Sequence, residues 1–191
     1  MLRRLPPRIF VTSCLCGLLF AHEPSGVWLD VPFVKQERNG CGAASIAMLM
    51  QYWQRQEPSL LTTGSDADAQ QIQRVLYSSL AHGIYASDLQ RYLQQHGFRS
   101  FAFSGNWSDF RRNLEKGRPL IVALKPGPGS APLHYVVVTG LDWEHQVLLI
   151  NDPAERKLLK RERTDFERQW KQAGNWTLLA VPYPGAAPSA P

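Results

Sequence analysis

Apolar residues recur along the chain with two periods, and these divide it into helices and strands. Ile46, Leu49, Met50 and Trp53 fall at helical spacing, which predicts a helix over Cys41–Trp53. A second helix is predicted over Asp66–Leu80, with Ser65 as its cap and two aspartates in its first turn. A third covers Ser87–His96, where Leu89, Tyr92 and Leu93 share a side and Gly97 is the stop. Ser108–Lys116 and a segment from Thr164 or Asp165 to Ala173 complete the helices, closed by Gly117 and Gly174. Strand-like segments are Phe98–Phe103, Leu120–Leu124, His134–Leu141, Gln146–Ile150 and Asn175–Val181, with an extended lead-in over Val27–Val34. Helices dominate the first half and strands the second, which predicts an α+β domain rather than alternating βαβ units.

The ends of the chain follow other patterns. Arg3, Arg4 and Arg8 precede an uncharged apolar run of 13 residues, Ile9–Ala21, and polar residues begin at His22. This layout predicts a secretory signal peptide over residues 1–21 and an exported, periplasmic or envelope-associated product. The run is shorter than the ~20 residues a membrane-spanning helix needs. Two alternatives stay open for the same segment. Val11-Thr12-Ser13-Cys14 resembles a lipoprotein cleavage box, which would anchor the chain to a membrane by a lipid, and an uncleaved N-terminal anchor is the other. Pro184–Pro191 is small, uncharged and rich in Pro and Ala, so it is expected to be a loose tail. The remaining residues, 22–183, form one expected domain, taken as a monomer.

Composition then narrows the function. The chain has 191 residues, 44% of them hydrophobic and 19% charged, which excludes a wholly disordered or collagen-like protein. Three cysteines cannot staple a chain of this length. The net charge of +5 falls to +2 without Arg3, Arg4 and Arg8, because 18 basic residues then face 16 acidic ones. The basic runs at Arg111-Arg112 and Lys157–Arg163 are interrupted or flanked by Glu115, Glu155 and Glu162, so nucleic-acid binding is not expected. No two histidines stand at ligand spacing on a helix, so no metal site is expected.

Cys41 is the only cysteine outside the first 21 residues. It follows the turn dipeptide Asn39-Gly40 and stands where a helix begins. A helix N-terminus carries about half a positive charge, which favours a thiolate, the nucleophilic form. A lone cysteine is also commonly a small buried hydrophobe. A partner decides between the two. Of the five histidines, His134 alone opens a strongly apolar strand, Tyr135-Val136-Val137-Val138. A hairpin turning at Trp143 would set His134 opposite Asp152, whose carboxylate could orient the ring. Asp152-Pro153 is also a common turn dipeptide. Gln36, five residues before Cys41, could donate its amide to a developing oxyanion together with the Cys41 backbone N–H.

Gln36-Glu37-Arg38-Asn39-Gly40-Cys41-Gly42-Ala43-Ala44-Ser45 resembles the nucleophile box of the bacteriocin-processing, double-glycine leader peptidases. His134–Val138 and Asn151-Asp152-Pro153 resemble that family's other two boxes, and Asp30-Val31-Pro32-Phe33 its lead-in. The resemblance implies a papain-like cysteine peptidase fold, with a nucleophile helix packed on an antiparallel sheet. It implies Cys41 as nucleophile, His134 as general base and acid, Asp152 as orienting residue and Gln36 as oxyanion donor. It further implies a peptide or protein substrate, a thioester intermediate, and no cofactor or metal. The best-known members are fused to an exporter and ATPase and cut after Gly-Gly, whereas these residues carry an export-like start. Two other functions remain compatible: acyl or peptidyl transfer on the same fold, and non-catalytic peptide binding. The tract Pro126–Gly129 precedes His134 and is either a lid or a plain surface loop.

Overall fold

The computed structural model describes residues 25–58, 66–127 and 132–183. The expected signal peptide with Cys14 and Cys16, the Ser65 cap, the second half of the Pro126–Gly129 tract and the tail from Pro184 lie outside these residues.

The chain runs β1 (Gly26–Trp28), α1 (Cys41–Gln56), α2 (Ala69–Leu76), α3 (Ala86–Gln95), β2 (Phe98–Ser104), α4 (Trp107–Leu114) and β3 (Leu120–Leu124). It continues with β4 (His134–Asp142), β5 (Val147–Asn151), β6 (Leu159–Glu162), α5 (Arg163–Gln172) and β7 (Trp176–Pro182). All paired strands are antiparallel, in the order β2-β7-β3-β4-β5-β6. β1 continues the edge of β4 that β3 leaves, pairing at residues 140–142 where β3 pairs at 134–138.

Alternation along β3 and β4 sorts the core into two layers. Ile121, Ala123, Tyr135 and Val137 pack with Ile46, Leu49 and Met50 of α1. Leu120, Val122, Val136 and Val138 pack with Phe110 of α4 and Phe166 and Trp170 of α5. The centre of the sheet is therefore covered on both faces, which explains why β3 and β4 are near-continuous apolar runs. Phe110 forms the hub of the second layer, with its ring centroid 4.8 Å from Trp170 and 5.7 Å from Phe166.

Helix α1 is buried almost throughout its first ten residues. Small side chains make this close packing fit. A Cβ on Gly42 would lie 3.3 Å from Ile84 Cβ and 3.4 Å from a ring carbon of Tyr135. The far end is pinned by the Trp53 indole N–H to Ala180 O (3.1 Å) and by the Tyr52 hydroxyl to Gly117 O (2.8 Å).

Two expectations need correction. The β4–β5 hairpin does not turn at Trp143 alone. Its loop is residues 143–146, and Asp142 faces Val147. The Asp142 carboxylate holds the loop by accepting from His145 N (2.9 Å) and pairing with the His145 ring (2.8 Å). The expected register, with 134 opposite 152, is thus displaced. The second correction is β6, which no apolar pattern announced, because Leu159-Lys160-Arg161-Glu162 is a charged edge strand. In addition, α2 starts later than expected and is capped by Asp68, whose side chain accepts from Gln71 N.

Gly140 is the tightest point of the sheet. A Cβ there would lie 2.9 Å from both Val27 O and Trp28 Cβ and 3.0 Å from Leu149. We expect Gly140→Ala to lose ~1–3 kcal/mol by overpacking. Thermal unfolding should show a drop in Tm of at least ~2 °C. An unchanged Tm would show that β1 yields freely.

Candidate active site

The site lies where the start of α1, the start of β4 and the end of β5 meet. Cys41 is the first residue of α1, after Gly40, and its backbone N–H is among the first-turn donors that lack intrahelical partners. Asn39 takes a positive φ of 58°, which turns the chain sharply into the helix. Helix α2 braces this turn. Gln73 donates to Arg38 O at 2.8 Å, and Gln70 donates to the Glu37 carboxylate at 2.6 Å. From the other side Ser45 Oγ donates to Tyr135 O at 3.2 Å, tying α1 to β4. The Cys41 sulfur lies 3.9 Å from Leu133 O, in line with the residue before β4.

His134 Nε2 and Asp152 Oδ1 are 2.7 Å apart. The ring also interacts with the Cys41 side chain, so with Nε2 turned to the carboxylate, Nδ1 is the atom left for the sulfur. The hairpin that leads from His134 to Asp152 contains a β-bulge. Between Val138 and Gly140 the register shifts by one residue, leaving Thr139 as the extra one. Past the bulge Val137 faces Asn151, the last residue of β5, and Asp152 follows it. Pairing of β4 with β5 ends at Val137 and Asn151, so His134 and Asp152 meet beyond the paired residues, not through the directly opposed pairing expected. Thr139 O is occupied by Leu29 N at 2.8 Å, so the bulge has its own backbone partner.

Asp152 also does what its Asp-Pro dipeptide suggested. Its Oδ1 accepts from Ala154 N at 3.0 Å, and its C=O accepts from Glu155 N. The turn and the histidine contact thus use one carboxylate. Gln36 reaches this turn through its backbone, donating N–H to Pro153 O at 2.9 Å. Gln36 lines a hollow with Gly40 and Gln73, and its Oε1 is buried without a hydrogen-bond partner among the described residues.

Residues outside the expected set complete the frame. Asn151 is fully buried. Its amide donates to Val31 O (3.1 Å) and Pro32 O (3.3 Å), and its Oδ1 accepts from Leu158 N (3.0 Å). It clamps the end of β5 to the lead-in segment. An asparagine ending the apolar run Val147–Ile150 was a readable signal for such a clamp. Arg161 of β6 approaches Asp152 Oδ2 to 3.9 Å and pairs with Glu155 at 2.7 Å. Nothing in its basic surroundings distinguished it from a solvated residue.

The charges at the site reinforce each other. Burial by itself opposes the charged form of His134. The hydrogen bonds to Asp152 and Cys41 and the charges of both outweigh it, raising the pKa to about 9. Burial likewise opposes the Asp152 carboxylate, but the His134 bond and charge, the Ala154 N–H and Arg161 bring its pKa below the usual value. Beside Cys41 a cleft of about 350 Å³ is lined by Ala81, Ile84, Tyr85, Pro132, Leu133 and Tyr135 among others. Among the described residues that line it, none is a Lys, Arg, Asp, Glu or His. Among the described residues no three or more His, Cys, Asp or Glu side chains gather as a metal site. No described helix is long and apolar enough to cross a membrane.

Comparison with known proteins gives the family and the fold. Residues 28–178 match the Peptidase_C39 like family, so the chain belongs to that family and is a cysteine-type peptidase. None of the curated proteins matches. Among solved structures, one described as a C39-like peptidase from Bacillus anthracis superposes with a TM-score of 0.61 at 19% identity, covering 82% of this chain and 97% of its own. The peptidase domain of Streptococcus ComA, a bifunctional ABC transporter of a quorum-sensing pathway, gives 0.61 at 20% identity, covering 78% and 97%. A double-glycine-motif protease from an AMS/PCAT transporter, solved with its leader peptide, gives 0.58 at 22%, covering 82% and 94%. The papain-like α+β fold expected from the sequence is the fold these structures share.

The raised pKa of His134 makes stability depend on pH. Its folded pKa of about 9 exceeds the unfolded value near 6.5. The stabilisation is fully present below pH ~6.5 and is lost as pH rises through about 9. Urea unfolding of the wild type should show a loss of up to ~3 kcal/mol across that window. His134→Gln should be weaker at neutral pH and lack that component. A wild-type curve that runs parallel to His134→Gln throughout would contradict the pairing.

Proposed function

We propose that this chain hydrolyses peptide bonds through a Cys41 thioester, with His134 as acid and base, Asp152 as the residue that orients His134, and Gln36 as an oxyanion donor. The observation that carries the reading is the His134 ring, which touches Asp152 at 2.7 Å on one side and interacts with Cys41 on the other. A nucleophile, a base and an orienter in series are the constellation that covalent acyl transfer requires.

In this mechanism the Cys41 sulfur attacks the substrate carbonyl carbon. The π electrons move to oxygen and form a tetrahedral oxyanion. The Cys41 backbone N–H and the Gln36 side-chain amide donate to that oxygen. The Gln36 role is supported by its place five residues before Cys41 and by its backbone tie to Pro153. The C–N bond then breaks, and the His134 imidazolium gives its proton to the leaving amine. The acyl group remains on sulfur as a thioester. Water attacks next, losing a proton to neutral His134, and the carboxylic acid leaves as Cys41 is restored. No redox partner or further reactant enters.

The uncharged, mostly apolar cleft supports small or apolar side chains near the scissile bond. The leader peptide bound by the AMS/PCAT protease supports a peptide substrate here as well.

The test is cleavage of a peptide library by the purified protein, with mass spectrometry of the enzyme for an acyl adduct. We expect Cys41→Ala to abolish turnover while still unfolding cooperatively as a folded domain. Gln36→Ala should lower kcat by ~10²–10³, the cost of one oxyanion donor. Cleavage by Cys41→Ala at the wild-type rate would sink the mechanism. Transfer of the acyl group to added amines with no hydrolysis would make the enzyme a transferase instead.

A further inference from the structure

The charges around Asp152 extend beyond His134. Arg161 Nη2 on β6 lies 3.9 Å from Asp152 Oδ2 and 2.7 Å from Glu155 Oε1. The signs alternate along a line from His134 through Asp152 and Arg161 to Glu155. Exposure falls inward along it: the side chains of Glu155, Arg161 and Asp152 are 51%, 32% and 4% exposed.

The two oxygens of Asp152 have different partners. Oδ1 serves His134 Nε2 and Ala154 N, while Oδ2 faces Arg161. A carboxylate held only through Oδ1 can rotate about its terminal torsion, which is soft. A guanidinium at Oδ2 restrains that rotation. It also supplies a countercharge that never deprotonates. That matters when His134 passes its proton to a leaving group, because Asp152 would otherwise be a buried charge facing a neutral ring. Arg161 is held in turn by Glu155, so its head group has a fixed place.

We propose that Arg161 is a positioning residue, which holds the Asp152 carboxylate with Oδ1 towards His134 through the catalytic cycle. The inference rests on the reading of Asp152 and His134 as catalytic. The bland alternative is a surface pair between Arg161 and Glu155, worth little and without effect on the site.

The charged groups facing Asp152 are His134 from β4 and Arg161 from β6, with Glu155 beyond Arg161 and Cys41 beyond His134. The Lys157–Asp30 pair occupies the neighbouring loop. If Arg161 positions Asp152, its loss weakens the hydrogen bond that raises His134. The alkaline limb of activity then moves down, towards the ordinary histidine value. If Arg161 acts only as a nearby cation, its removal moves that limb up.

The experiment is the pH profile of kcat/KM for peptide cleavage by wild type, Arg161→Gln, Arg161→Lys and Asp152→Asn, each checked by urea unfolding. For Arg161→Gln we expect the alkaline limb to fall by about half a pH unit. We also expect kcat to drop several-fold at nearly constant KM. Arg161→Lys, which keeps the charge, should restore most of the limb. An Arg161→Gln limb that stays put or moves up, beside an impaired Asp152→Asn, overturns the positioning role and leaves the mechanism standing. An Asp152→Asn profile identical to wild type removes the catalytic reading on which the inference rests.

Discussion

The contact between His134 and Asp152 is the constraint on which the site depends. At 2.7 Å it joins the start of one strand to the residue just past the end of the next. One extra residue, Thr139, shifts the β4–β5 register, so that Val137 faces Asn151, the residue before Asp152. The bulge is fixed from outside by Leu29 N on Thr139 O. The lead-in segment thus bonds to the hairpin at its bulge. Asn151 repeats the link two residues later in the lead-in, at Val31 O and Pro32 O.

The second delivery is that of Cys41. The close approach of α1 to β4 needs Gly42, where any side chain would press on Ile84 and Tyr135. It also needs Ser45, which bonds Tyr135 O. The two-sided burial of the sheet gives this arrangement a rigid floor. α4 and α5, with Phe110, Phe166 and Trp170, take no part in the chemistry, yet they back the strands that carry it. The site therefore rests on tightly packed elements, with its loops held by Gln70, Gln73 and the Asp152 turn.

Much of this was legible in the sequence where a signal was local. The 3.6-residue period of α1, the apolar run of β3, and the Asn39-Gly40 turn before Cys41 all point to what is found. The proximity of His134 and Asp152 was also foreseen, but by a wrong register. Turn length and bulge position are set by contacts from Asp142, His145 and Leu29, which no window of sequence displays. β6 was missed because an edge strand can be mostly charged, and Arg161 was missed with it. Gln36 was expected on the strength of its spacing. Its backbone is tied to the Asp152 turn and its Oε1 is buried without a hydrogen-bond partner among the described residues, details that no spacing displays.

The central claim is that a buried carboxylate holds His134 as a cation beside Cys41. The most direct measurement is a ¹⁵N-histidine NMR titration of the intact protein, with His134 assigned by substitution. The account predicts that His134 titrates at about 9, through a form protonated at both nitrogens at neutral pH, and that Asp152→Asn lowers this value. A His134 that titrates near 6.5, unmoved by Asp152→Asn, would contradict it.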